Sequence, residues 1–427
     1  MSKDKKGQSK IIEPRTLKGF RDLLPKDVAI KQEVIEILKQ VFESFGFQPL
    51  ETPTLEYAST LLNKYGEEAD KLVYTFKDKG ARKIGLRYDL TVPVCKVMAI
   101  YQNQIPLPFK RYQIQNVFRA EKPQRGRFRE FTQCDIDTFG VWSPLADAEI
   151  IQVVYTCLKA IGFKEFTINI NSRQILFEIL EKAKITDSVQ QKLVLQSIDK
   201  LDKKPRSEVE QELATKNLKK QDIERLFKAI DNAKTNEELS LIFDYLKSNQ
   251  IPEQFYRFSP FMVRGLDYYT RTVFETYVGQ PKVGSITGGG RYDKLTAQLG
   301  GPDLTGTGTT IGLERIVEVI KEFDLWPELT TVSTQVLVII FSPELKETSI
   351  KTVSELRKAG ITAELYLEPN DKISKQLKYA DQKGIPYTII IGPDEIKKKT
   401  VVLKDLAKRS QQELTLKEAI SLLTQQL

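Results

Sequence analysis

Two runs of alternating apolar and polar residues, parted by a polar break, stand out in this chain. Tyr112, Ile114, Val117 and Phe118 mark the first run, and Phe128, Phe131, Cys134, Ile136 and Thr138 the second. Alternation of this kind on both sides of a break predicts two antiparallel strands. The break at EKPQRG (121–126) is too long for a tight hairpin turn, and its surroundings carry Arg119, Arg125, Arg127 and Arg129 with Lys122. Guanidinium groups fork onto phosphate and carboxylate oxygens in bidentate fashion. The loop is therefore either the solvated edge of a hairpin or a site for a polyanion such as a nucleotide, RNA or both.

Elsewhere apolar positions recur at helical spacing. Val28, Ile35, Leu38, Val41, Phe42 and Phe45 share one face of a helix predicted over 27–45, which Gly46 ends. Pro49 and Pro53 keep FQPLETPTL (47–55) extended. A helix followed by such a strand fits core packing or a seam between two copies. Residues 73–78 and 83–87 read as a hairpin around Lys79-Gly80, followed by Tyr88-Asp89-Leu90-Thr91 and a helix from Pro93 to about Tyr101. Asp89 and Thr91 either cap that helix or point together at an ammonium group. A helix over 145–161 and a strand over 166–170 come next. From 172 to about 250 glycine is absent and helical spacing recurs, as in Ile223, Leu226, Phe227 and Ile230. An all-helical insertion is predicted there.

Strand character returns at FMVRGLDYYTRTVFE (261–275), which joins Arg264, Asp267, Tyr268, Tyr269 and Arg271 to a strand over 272–277. GSITGGGRYD (284–293) and TGTGTTIGLER (305–315) are glycine-rich, which lets a backbone approach a ligand closely. Their spacing does not match the dinucleotide fingerprint and no βαβ unit surrounds them. Arg315, one turn into a helix predicted over 313–323, is placed to meet phosphate. After a linker at 326–333, strands over 336–341, 363–366, 387–391 and 400–403 alternate with helices over 344–359, 374–383 and 416–423. That order implies a separate α/β domain with a largely parallel core. Its lysines, among them Lys372, Lys375, Lys378 and Lys383, suit a nucleic acid backbone or an ordinary solvated surface.

Composition narrows the chemistry. At 427 residues, two or three domains are expected. The longest apolar runs are far too short to cross a bilayer, and the polar, basic start of the chain is neither a signal peptide nor an anchor. Cys95, Cys134 and Cys157 are widely spaced and form no metal-type pair, so a cytoplasmic location is expected. The net charge of +8 favours a polyanionic partner. Most telling, the chain has no histidine. Triads and metal sites built on imidazole are excluded, and catalysis falls to carboxylates, arginines, tyrosines, bound ions or the substrates' own groups.

From residue 19 onward the chain resembles the histidyl-tRNA synthetases, a class II family. The resemblance rests on the Pro53 segment, Arg119 with its loop, QCDID (133–137), RGLDYY (264–269), GGGRYD (288–293), GLER (312–315) and the C-terminal AELYLEPNDKISKQLKYADQKGIPYTIIIG. RYDLTVP (87–93) and QCDID follow the variant common in eukaryotic enzymes. The familiar bacterial one usually has Glu at the position of Asp89 and often His at that of Thr132. The implied architecture is a basic tail (1–17) that is disordered, an α+β catalytic domain on a mostly antiparallel sheet (18–330) with a helical insertion (about 172–252), and a small α/β anticodon-binding domain (334–427).

The resemblance also implies roles. Asp89, Thr91 and Gln133 would hold the α-amino group of L-histidine, and Asp137 would receive an imidazole N–H in a pocket shaped by Tyr268 and Tyr269. Arg264 would contact the substrate carboxylate and the reacting α-phosphate. Arg119 and Glu121 would place the α-phosphate and adenine of ATP, with Arg127 nearby and Arg315 on the γ-phosphate. Gln124 and Arg125 would reach the acceptor end of tRNA(His). Magnesium on the ATP phosphates and a homodimer joined through 45–55 are implied as well, with no membrane role. The implied function is histidine–tRNA ligation. The alternative is a catalytically inactive, synthetase-like regulatory subunit of ATP phosphoribosyltransferase, which usually lacks the C-terminal domain and parts of the catalytic motifs.

Overall fold

The computed structural model describes residues 13–62, 70–123, 126–202, 204–264, 269–281, 283–326 and 332–426. The chain divides into two compact units, a larger one of Met1–Leu23 and Ile30–Pro327 and a smaller one of Leu24–Ala29 and Glu328–Leu427. The expected disordered tail lies mostly outside the described residues, as do Gln124, Arg125 and Tyr268.

The larger unit is organised by two sheets. In chain order its strands are β1 (Gln48–Pro49), β2 (Leu55–Tyr57), β3 (Thr75–Lys77), β4 (Lys83–Leu86), β5 (Phe109–Phe118), β6 (Glu130–Phe139), β7 (Thr167–Ser172), β8 (Tyr256–Phe258), β9 (Thr272–Tyr277), β10 (Thr287–Tyr292) and β11 (Gly306–Gly312). Eight of them form one sheet in the order β1-β5-β6-β11-β10-β9-β7-β8, antiparallel except at its two parallel edges. The alternating runs of the sequence are its longest pair, β5 and β6, in register from Phe109 opposite Phe139 to Phe118 opposite Glu130. A small antiparallel sheet, β2-β4-β3, contains the predicted hairpin.

Two glycine-rich segments that carried no strand pattern, β10 and β11, occupy the middle of the large sheet. Glycine is depleted in strands because it has no side chain to pack. Here neighbours supply the packing: Gly289 faces Phe274, and a Cβ there would lie 2.2 Å from the Gly308 carbonyl oxygen. The helix Leu145–Ile161 buries its apolar face with Ile150, Ile151, Val153, Val154, Cys157 and Leu158. Between β7 and β8 the chain is helical throughout its described residues, from Arg173–Lys182 to Glu237–Ser248, as the glycine-free stretch predicted.

The smaller unit has a five-stranded sheet built from β12 (Val336–Ile339), β13 (Ala363–Leu365), β14 (Tyr387–Ile390), β15 (Val401–Asp405) and β16 (Ser410–Leu414), in the order β13-β12-β14-β15-β16. Strands β13, β12 and β14 are parallel and the other two antiparallel. Its core joins Val336, Val338, Ile389, Val401 and Leu403 to Val353, Leu356 and Leu423 of its helices. Strand β16 (SQQEL) escaped the sequence reading because four of its five residues are exposed and polar, leaving no alternation to see.

Candidate active site

Strand register explains why a cavity forms over the middle of the large sheet. Side chains alternate between the two faces of a strand, so Gln133, Asp135 and Asp137 of β6 share a face. Opposite them in β11 stand Gly312, Thr310 and Gly308. Beyond those, Gly288 pairs with Thr310 and Gly290 with Gly308 on β10. The floor is paved with glycine where it must be low. A Cβ on Gly288 would lie 2.1 Å from the Arg264 guanidinium carbon, one on Gly290 3.0 Å from the Tyr269 ring, and one on Gly308 2.0 Å from the Asp137 carboxylate. Arg264, Tyr269 and Asp137 rest directly on bare backbone. The resulting cavity holds about 630 Å³.

Among the described residues four arginines line it: Arg119, Arg127, Arg264 and Arg315. The Arg119 guanidinium lies 4.4 Å from the Tyr88 ring centroid and 5.0 Å from that of Phe131, and its Nε donates to the Tyr88 carbonyl at 3.1 Å. Arg127 is ion-paired with Glu121. Arg264 is ion-paired with Glu275, which also accepts from the Tyr277 hydroxyl at 2.7 Å. Arg315, in the first turn of the helix Leu313–Phe323, donates to the Ser285 carbonyl. Burial holds the Arg315 guanidinium below its ordinary range, and the charges of Arg264, Arg127 and Arg119 push the same way against Glu275. Like charges held together in a low-dielectric hollow are relieved by an anion.

The same cavity supplies acceptors. Asp89 and Thr91 both line the cavity, and Asp89, which precedes the N-cap residue Leu90, also accepts the Val92 N–H at 3.1 Å from the first turn of the helix Thr91–Tyr101. Gln133 gives its Nε2 to the Thr310 hydroxyl at 3.1 Å, while its buried Oε1 has no hydrogen-bond partner among the described residues.

Asp137 stands apart from that lining. It is not among the described residues that line the cavity, but lies beyond them on the same floor, over Gly308. It is 2 % exposed, ion-paired with the fully buried Arg111 and bonded to the Tyr292 hydroxyl. Removal from water pushes its carboxyl above the ordinary range, against the pull of Arg111. Tyr269 sits beside it, over Gly290, which pairs with Gly308.

Several cavity residues went unrecognised in the sequence. Glu275 and Tyr277 follow RGLDYY on β9. Glu314 accepts the Thr132 N–H at 3.0 Å, and Asp199 comes from the helical insertion and accepts the Val263 N–H at 3.3 Å. Asp199 had no signal, since nothing near it in the chain hints that a solvated helix end returns to the sheet. The Glu in GLER stood next to Arg315 and could have been paired with the β6 backbone. Arg291 of GGGRYD faces the other way. It is buried against Asp147, with Nη2 to Oδ2 at 2.7 Å, and bonds the carbonyls of Val141 and Ser143. It ties β10 to the helix Leu145–Ile161.

A family model described as Histidyl-tRNA synthetase matches residues 19–316, and one described as Anticodon binding domain matches residues 335–426. A histidine–tRNA ligase of Gloeobacter violaceus is 39% identical over 464 residues, covering 96% of this chain and 98% of that protein. Among solved structures, the histidyl-tRNA synthetase of Nostoc sp. PCC 7120 superposes with a TM-score of 0.82 at 27% identity, over 98% of this chain and 100% of the other. A Bacillus halodurans protein described as an ATP phosphoribosyltransferase regulatory subunit/histidyl-tRNA synthetase shares the fold, with a TM-score of 0.70 at 21% identity over 87% of this chain and 97% of its own.

Proposed function

Because this chain belongs to the histidyl-tRNA synthetase family, we propose that it activates L-histidine with ATP and then transfers histidine to the 3′ end of tRNA(His). The observation that carries the reading is the convergence of Arg119, Arg127, Arg264 and Arg315 on a single cavity that also offers Asp89, Thr91 and a Gln133 Oε1 without a hydrogen-bond partner among the described residues. The arginines suit phosphates and the acceptors an ammonium group.

In the first step a histidine carboxylate oxygen attacks the α-phosphorus of ATP, and the bond to the β-phosphate bridge oxygen breaks. Histidyl-adenylate and pyrophosphate result. Such in-line displacement is catalysed by positioning and by stabilising charge, with no need for a general acid or base. A chain without histidine is adequate for it. Arg264 bridges the substrate carboxylate and α-phosphate, Arg119 and Glu121 place the α-phosphate and adenine, Arg127 stands beside them, and Arg315 takes the γ-phosphate. Asp89, Thr91 and Gln133 receive the α-ammonium. Asp137 and the neighbouring Tyr269 hold the imidazole, with Tyr268 completing that pocket. Gln124 and Arg125 meet the acceptor end of the tRNA, whose terminal hydroxyl attacks the activated carbonyl as AMP leaves.

Magnesium carried on ATP asks for only one or two protein carboxylates. No cluster of three metal-binding side chains occurs among the described residues, whereas Glu121, Glu275 and Glu314 line the cavity, a donor set that fits an ion held chiefly by phosphate. When bound, the ion would neutralise phosphate charge.

A homodimer is part of the proposal. Leu55 and Tyr57 of β2, Ile84 and Leu86 of β4 and Phe76 of β3 share one face of the small sheet, and Leu55, Tyr57 and Phe76 are 46%, 56% and 46% exposed. Among the described residues no helix is long and apolar enough to cross a membrane, and a cytoplasmic setting is proposed. The regulatory-subunit reading shares the fold but leaves the cavity's arginines and the match to an anticodon-binding domain without a task.

Histidine-dependent ATP–pyrophosphate exchange tests the proposal. Exchange should be present and fall by about 100-fold in Arg119→Ala, the scale for losing one charge-stabilising donor. Gln124→Ala should keep exchange and lose tRNA charging. Folded protein with no exchange would refute the enzymatic reading.

A further inference from the structure

Arg264 reaches the cavity from a stretch, residues 259–264, that belongs to no strand or helix. A side chain carried on such a stretch is placed less exactly than one carried on a sheet. Two features of the sheet make up for this. The Arg264 guanidinium rests on the bare backbone of Gly288, and Gly288 pairs with Glu275 across β10 and β9. Glu275 therefore stands beside the place where the guanidinium lies, and its Oε1 accepts from Arg264 Nη1. The glutamate side chain is itself long and has to be held. Tyr277, two residues along the same face of β9, donates its hydroxyl to Glu275 Oε2 at 2.7 Å. Each oxygen of the carboxylate thus has its own partner, one on the arginine and one on the strand. Burial, with the Glu275 charge beside it, holds the Tyr277 hydroxyl above its ordinary range, so it remains a donor at neutral pH.

We propose that Glu275 and Tyr277 are positioning residues for adenylate formation. Tyr277 fixes the Glu275 carboxylate, and Glu275 fixes the Arg264 guanidinium where the substrate carboxylate meets the α-phosphate. The inference rests on the reading that Arg264 contacts those two groups, and it adds what holds Arg264 there. Glu275 suits the task because its side chain is only 12% exposed, which leaves water little room to compete for its oxygens. A carboxylate anchored at one oxygen alone could turn about its own bonds and carry the guanidinium with it. Misplacing a group by about 1 Å can cost such a reaction about 100-fold.

The test is equilibrium binding to the full-length protein, measured without magnesium so that a carboxylate serving only as a metal donor would not register. The first probe is the sulfamoyl analogue of histidyl-adenylate, which carries the acyl–phosphate junction that Arg264 would touch. The second is histidinol, which is histidine without its carboxylate. Tyr277→Phe removes the hydroxyl and keeps the ring. It should weaken the analogue about tenfold, the scale of a hydrogen bond to a charged group, and leave histidinol binding unchanged. Glu275→Gln should weaken the analogue further. The double variant should bind it no worse than Glu275→Gln alone, because Tyr277 acts only through Glu275. Unchanged analogue binding in Tyr277→Phe overturns the proposal. So do equal losses for both probes, which would mark a general structural role. Losses that add in the double variant also overturn it, since Tyr277 would then meet the ligand itself. Wild-type protein that binds neither probe and shows no histidine-dependent exchange would instead refute the proposed function, so the two failures are distinguishable.

Discussion

Asp135 carries a cost that its neighbours only partly offset. Burial pushes its carboxyl up to about 8, Arg111 pulls it down, and Asp137 pushes it up again. In the unfolded chain the same group titrates near 3.8. The folded state therefore holds a proton that the unfolded state has released, and the associated stability is complete below about pH 4 and lost as pH rises through about 8. Asp135→Asn does not titrate. Its melting temperature should match wild type near pH 4, exceed it progressively up to about pH 8, and keep a constant lead beyond. A lead independent of pH would contradict this account. Contrast Asp147, whose oxygens are all engaged by Arg291 and Thr307. Removing one partner of such a buried pair typically costs about 3–5 kcal/mol. Sequence showed QCDID and GGGRYD as motifs, but not which acidic or basic member faces the ligand. Within their motifs Asp137 and Arg291 look alike, and strand register puts Asp137 on the face of the glycine floor and Arg291 on the far side of the sheet.

Strands β10 and β11 show where pattern reading stops. The long pair β5 and β6, the helix Leu145–Ile161 and the helical insertion were legible because each carries its periodicity within itself. GGG does not. It becomes a strand because β9 and β11 flank it on both sides. Adjacent glycines in it face opposite ways, which gives a paired prediction. Gly288→Ala puts a methyl group among the Arg264 guanidinium atoms, the far end of a movable side chain, so exchange activity should fall by about 100-fold with little change in melting temperature. Gly289→Ala meets the Gly308 carbonyl at 2.2 Å and Phe274 at 2.7 Å, neither of which can move without distorting the sheet, so it should lower the melting temperature markedly. Circular dichroism melts beside exchange rates on the two proteins separate the effects. Equal damage on both scales would mean that the floor and its underside are not independent.

For the molecule as a whole, the linker and the change to β-α-β order are sequence features that fall near the start of the smaller unit's long segment, whereas the inclusion of Leu24–Ala29 in that unit, against an expected catalytic domain from 18 to 330, had no sequence signal. The assembly was legible only as an alternative, since an extended proline-bearing segment fits a core or a seam equally. The register of the small sheet puts Leu55 of that segment on one face with Tyr57, Ile84, Leu86 and Phe76, the face proposed to meet a second copy. The double substitution Leu55→Glu and Tyr57→Glu should give a folded monomer by sedimentation velocity where the parent is a dimer. A parent that sediments as a monomer would dismiss the seam. One consequence of the glycine floor reaches beyond the folded state. Any amino acid reachable by one base change from a glycine codon is larger than glycine. At Gly288 and Gly308 every such change puts an atom into space already taken by Arg264 or Asp137, and at Gly290 into that of the Thr272 carbonyl, hard against Tyr269. Most pockets drift by trading one side chain for another of similar size. This one is shaped by atoms that are missing, and for these three codons mutation has no small step to offer.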